Sequence, residues 1–211
     1  MQKKLCALTF DDGPNTEITP LVLEKLKKHG VIASFFLVGN NINAESEKIV
    51  KAAFDMGCEI CNHSKTHSAF PALSAEEMRA EIEYTSSEIE RITGRKPRFF
   101  RPPYIAVSGE MYDNIDLTFI AGIGAKDWLP EVTAKQRADM ILGQIEDGAV
   151  ILLHDMEENI QTVEALDIII PALKDEYEFV TVSELFDRAG VVPKKGIVYS
   201  FTSQTTEYWD R

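Results

Sequence analysis

Apolar runs of strand length alternate with amphipathic stretches of helix length from residue 5 to about residue 190, and few architectures accept that pattern. The apolar runs are residues 5–9, "VIASFFLV", "CEICN", "RFF" at 98–100, residues 117–123, "AVILLH" and "FVT". Between them lie helical stretches with legible ends. "TPLVLEKLKKHG" has Thr19 as N-cap, Pro20 in the first turn and Gly30 as its stop. "AESEKIVKAAFDMG" closes at Gly57, and "SAEEMRAEIEYTSSEIERITG" opens on the capping-box spacing Ser74–Glu77 and ends at Gly94. "TAKQRADMILGQIEDG", residues 161–175 and "VSELFDRAG" complete the series, and the stretch after about residue 190 is left unassigned. Strands that are each followed by a helix predict a parallel sheet with helices outside. About seven of them suit a (β/α) barrel, and a doubly wound open sheet is the rival. The length suits a single domain over residues 1–211.

Both architectures gather chemistry at the carboxyl ends of the strands, so polar residues should cluster just after apolar runs. They do. Asp11 and Asp12 follow "LCALTF", His63 and His67 follow "CEICN", and Arg101 follows "RFF". Asp127 and Trp128 follow "FIAGIGAK", and His154 and Asp155 follow "AVILL". The chain has four histidines, of which His29 alone lies elsewhere, at a helix end beside Gly30. Neighbouring carboxylates repel, so Asp11 and Asp12 at the end of an apolar run need water or a cation to compensate them. On a helical turn, the spacing of His63 and His67 would put both imidazoles on one side. Two histidines and one carboxylate make a three-ligand set with open positions for water and substrate. One aspartate then binds the cation, and the other stays free beside it.

A net charge of −12 turns the chain away from phosphate backbones and anionic membranes and suits a neutral substrate or a locally bound cation. No apolar run is long enough to cross a bilayer as a helix. The three cysteines, Cys6, Cys58 and Cys61, make no disulfide framework. In an alternating strand Cys58 and Cys61 point to opposite faces, so both are read as core. A monomer is expected, with no nucleic-acid partner and no membrane insertion. Cytoplasmic residence is expected if the chain is complete, and secretion or a cell-surface location if a leader precedes it.

"TFDDGP" (9–14), "HSKTH" (63–67), "RPPY" (101–104), "DW" (127–128) and "LLH" (152–154) resemble, in order, the five motifs of the polysaccharide deacetylases, the NodB-homology or carbohydrate esterase family 4 group. The resemblance runs over residues 5 to 190 and implies a distorted, incomplete (β/α) barrel. It implies removal of acetyl groups from an acetylated carbohydrate, an N-acetylglucosamine polymer or oligomer such as chitin or peptidoglycan, with acetylxylan as the alternative. A sugar-binding relative without activity is a third reading. The resemblance assigns Asp11 as base and Asp12, His63 and His67 as ligands of zinc, or of cobalt or nickel. Arg101 would hold Asp11. His154 would be the general acid, with Asp127 as its partner. The Tyr104 backbone N–H would bind the oxyanion, and Leu152 and Trp128 would enclose the acetyl methyl. This chain departs from the family at Ile105, where Gly is frequent, at Cys58 and Cys61 in place of His and Gly, and at Ser68 in place of Pro.

Overall fold

The structure is a computed structural model that describes residues 3–205. Nine strands form one sheet: β1 Lys4–Asp11, β2 Ser34–Leu37, β3 Glu59–Asn62, β4 Phe99–Phe100, β5 Thr118–Ile120, β6 Ile123–Gly124, β7 Ala149–His154, β8 Tyr177–Val180 and β9 Val198–Tyr199. Seven helices surround it: α1 Ile18–His29, α2 Ser46–Asp55, α3 Ala75–Thr93, α4 Gly109–Asn114, α5 Ala134–Leu142, α6 Ile160–Leu173 and α7 Val182–Ala189. The spatial order is β6-β7-β1-β2-β3-β4-β5-β9, with β8 paired to the first half of β1, and the strands pair in parallel. This is the distorted, incomplete barrel, not the doubly wound sheet. The segment after residue 190, unassigned in the sequence, spans the opening. Its β9 pairs with β5, while the Val150 N–H donates to Ser200 O (2.9 Å) and the Thr202 N–H to Gly148 O (3.0 Å).

The period of two in β1 decides what faces the barrel mouth. Cys6, Leu8 and Phe10 join the outer core beneath the helices, and Ala7 joins the inner core with Phe36, Cys61 and Val150. The same alternation sends Thr9 and Asp11 inward. Cys58 lies in the outer core and Cys61 in the inner one, as the alternation predicts. Between β5 and β6 the chain passes through Gly122, where an added Cβ would sit 2.7 Å from the Leu152 Cβ and 2.9 Å from Val150 O. That close approach splits the run 117–123 into two short strands.

The capping box at Ser74 and Glu77 is present, and Gly30 and Gly94 close their helices in the left-handed conformation. Thr19 does not cap α1. Asn15 Oδ1 accepts from the N–H groups of Glu17 (3.0 Å) and Ile18 (2.6 Å), which leaves the Thr19 hydroxyl free to donate to Asp155. Short α4 breaks a stretch that carried no helical reading, and His29 pairs with Asp167 of α6 (2.7 Å).

Candidate active site

The carboxyl ends of β1, β3, β4, β6 and β7 surround a cleft of about 520 Å³, lined by Asp11, Asp12, His63, His67, Tyr104, Trp128, Leu152 and His154, together with Pro102 and Ile105. Neighbours in a regular strand point apart, yet Asp11 and Asp12 converge. The reason is backbone: β1 ends at Asp11, and Asp12 adopts φ 75°, a left-handed conformation that aspartate tolerates better than most residues. His63 Nε2 consequently lies 3.7 Å from Asp11 Oδ2 and 3.5 Å from Asp12 Oδ1.

His63 and His67 do meet, but not on a helical turn. The segment is a loop, with Ser64 at φ 71° and His67 at φ 59°. It is pinned from both sides. Asn62 Oδ1 accepts the Ser64 N–H (2.7 Å), Ser64 Oγ accepts the His67 N–H (3.0 Å), and Glu81 of α3 accepts the N–H groups of Lys65 (2.9 Å) and Thr66 (2.8 Å). Neither Asn62 nor Glu81 stood out in the sequence, because each acts on backbone far from any chemical motif. The rings end 4.8 Å apart between centroids.

Three donor atoms, from Asp12, His63 and His67, lie within 4.8 Å of one another. Asp12 Oδ1 is buried without a hydrogen-bond partner, 3.5 Å from His63 Nε2 and 3.4 Å from His67 Nε2. Tetrahedral zinc with bonds of about 2.0–2.1 Å spaces its ligands about 3.3–3.4 Å apart, and both imidazole nitrogens stand at about that spacing from Asp12 Oδ1. The His63 tautomer also fits. Its Nδ1 is 2.6 Å from the Arg101 carbonyl, which only accepts, so Nδ1 carries the proton and Nε2 offers its lone pair. Burial and the neighbouring His63 hold the His67 imidazole below the usual histidine range.

Asp11 is held differently. The fully buried Arg101 donates from Nη1 to Asp11 Oδ1 (2.5 Å) and from Nη2 to Ala121 O (2.6 Å), and its guanidinium lies 4.1 Å from the centre of the Phe36 ring. His154 stands across the cleft with Nδ1 2.8 Å from Asp127 Oδ1, which turns Nε2 toward the cleft. Asp127 Oδ2 also accepts the His154 backbone N–H (2.7 Å) and the Thr162 hydroxyl (2.9 Å). Burial alone would lower the His154 pKa. The hydrogen bond and charge of Asp127, with Asp11 and Asp12 further off, raise it to about 9.

Tyr104 and Ile105 both have positive φ, 61° and 53°, and Tyr104 is 71% exposed with its ring edge-on to His67. Trp128 is 49% exposed, edge-on to His154, and Leu152 is buried between the two sides of the cleft. Asp155 is fully buried and accepts from Thr19 of α1 (2.5 Å). Burial lifts its carboxyl to about 7. Every sequence-derived site residue thus lies on one rim.

The family model for polysaccharide deacetylases matches residues 1–118. A bifunctional xylanase/deacetylase of Pseudobutyrivibrio xylanivorans is 48% identical over 192 residues, covering 90% of this chain and 32% of that protein. The peptidoglycan-N-acetylglucosamine deacetylase PgdA of Listeria monocytogenes is 35% identical over 189 residues, covering 87% of this chain and 39% of that protein. Among solved structures, a family 4 acetyl xylan esterase from Clostridium thermocellum in complex with a cobalt ion superimposes with a TM-score of 0.92 at 42% identity, covering 95% of this chain and 100% of that one. The chain spans about a third of the length of these two curated relatives.

Proposed function

The chain belongs to the polysaccharide deacetylase family, and from that membership we propose that it is a metal-dependent hydrolase that removes acetyl groups from an acetylated carbohydrate. The observation that carries the reading is Asp12 Oδ1, buried and unpartnered between two imidazole nitrogens, beside a second carboxylate clamped by Arg101. Asp12, His63 and His67 would hold the cation, zinc with cobalt or nickel as alternatives. Such a cation polarises an acetyl carbonyl and makes water acidic near neutral pH.

The chain's own residues supply the rest. Asp11 takes the proton of the attacking water, and Arg101 fixes the carboxylate that does so. As the carbonyl becomes an oxyanion, the Tyr104 backbone N–H binds it, a donor of the kind whose loss costs about 3 kcal/mol. His154, kept protonated by Asp127, delivers its Nε2 proton to the departing nitrogen or oxygen. Leu152 and Trp128 wall in the acetyl methyl.

Two substrate classes compete. The PgdA similarity supports N-acetyl removal from a glucosamine-containing polymer. The higher identities to a xylanase/deacetylase and an acetyl xylan esterase favour O-acetyl removal from xylan. Both polymers are met outside the cell, which supports an extracellular site of action. Among the described residues no helix is long and apolar enough to cross a membrane. Acetate release from acetylxylan, chito-oligosaccharides and peptidoglycan, each with and without a chelator, tests the reading. Chelator-sensitive release from at least one is expected. Release from none, with zinc bound, contradicts it.

A further inference from the structure

Arg137 of α5 is 1% exposed, and among the described residues no carboxylate lies within ion-pair distance of it. A buried arginine without a counter-ion is costly unless its donors are all well used. They are used on both halves of one small assembly. Nε donates to Val132 O (2.8 Å) and Nη2 to Leu129 O (3.2 Å), in the loop that carries Asp127 and Trp128. Nη1 donates to Asn159 Oδ1 and to Thr162 Oγ1 (2.8 Å), in the segment that follows His154.

A guanidinium only donates, and this sets the direction of every bond beyond it. Thr162 Oγ1 accepts from Arg137, so its single proton goes to Asp127 Oδ2 (2.9 Å). Asn159 accepts through Oδ1, so its amide N–H faces His154 O (2.9 Å). Asp127 Oδ2 is filled by Thr162 and by the His154 backbone N–H, which leaves Oδ1 for His154 Nδ1 (2.8 Å). We propose that Arg137 is a positioning residue for the general acid: acting through Thr162 and Asn159, it holds the Asp127 carboxylate in the one orientation that places the proton on His154 Nδ1 and aims Nε2 at the leaving group. The proposal rests on the deacetylase reading for the words "general acid". The geometry it describes stands apart from that reading.

The test uses zinc-loaded protein, with Thr162→Val, which keeps side-chain shape and removes only the hydroxyl, and with Arg137→Met. Two readouts are taken: the Nδ1–H resonance of His154 by ¹⁵N-edited NMR, and kcat and KM on N-acetylated chito-oligosaccharides or acetylxylan, whichever the wild type deacetylates. Each variant is expected to lose or shift the resonance and to lower kcat by roughly 10- to 100-fold, with KM moving less than about twofold. A purely structural role would leave the resonance in place in folded protein. If both quantities fail to change together in Thr162→Val, or in an Arg137→Met that folds, the proposal is overturned. If Arg137→Met does not fold, Thr162→Val decides. If the wild type releases no acetate, the activity reading falls and the resonance alone judges the placement of Arg137.

Discussion

His63 and His154 face the same cleft from opposite sides, and each uses Nδ1 to bond a neighbouring oxygen while Nε2 looks inward. The oxygen differs. For His63 it is the neutral carbonyl of Arg101, and for His154 it is the carboxylate of Asp127. A carbonyl fixes the tautomer and leaves the inner nitrogen as a lone-pair donor. A carboxylate also stabilises the imidazolium and lifts His154 to about 9 against the opposing effect of burial. On the proposed function, that one charge in the partner separates a ligand from an acid.

The widest break in that comparison should come from the ligand side. Asp12→Ala is expected to abolish zinc binding and bring acetate release to background, and added zinc should not restore it; wild type stripped by a chelator should recover with zinc. Isothermal titration and an acetate assay check both. On the acid side, His154→Ala should bind zinc like wild type and yet lose about 100- to 1,000-fold in kcat on an N-acetyl substrate. An ester should lose less, because an alkoxide leaves more easily than an amide anion. Equal losses on paired amide and ester substrates would dissolve the distinction between the two histidines.

Protonation sharpens it further. The His154 pKa in the folded protein, about 9, exceeds its ordinary unfolded value of about 6.5. Its pairing with Asp127 therefore adds stability in full below about pH 6.5, and that stability is lost as pH rises through about 9. In chelated protein the thermal midpoint should fall across this window, and Asp127→Asn should flatten the fall. The smallest effect is expected at the joint between the two sides. A Cβ on Gly13 would sit 2.6 Å from a buried Asp155 oxygen, so Gly13→Ala should cost about 1–3 kcal/mol by denaturant titration.

Much of this arrangement was legible in the sequence, because a parallel barrel puts the loops that follow its strands at one end and the chain puts three of its four histidines there. Asp11, Asp12, His63 and His154 follow apolar runs and line the cleft, while Arg101 and Asp127 follow apolar runs and lie buried behind Asp11 and His154. The convergence of two adjacent aspartates was legible as a need and not as a geometry, since it depends on the left-handed backbone at Asp12. The helical turn expected for His63–His67 gave way to a loop pinned by Asn62 and Glu81, tertiary contacts that no local pattern announces. Arg137 and Thr162 were hidden for another reason. They sit on amphipathic helices, where a polar residue reads as surface until packing shows it buried. β9 is two residues long and forms only against β5.

On the proposed function the two sides of the cleft divide the work, with Asp12, His63 and His67 holding a cation and His154 kept apart as an acid. X-ray absorption at the zinc edge on the loaded protein tests it directly by counting imidazoles. Two imidazole nitrogens and a carboxylate oxygen are expected, with no change in the His154→Ala variant. A third imidazole that disappears in His154→Ala, or a zinc shell that contains no imidazole at all, would contradict it.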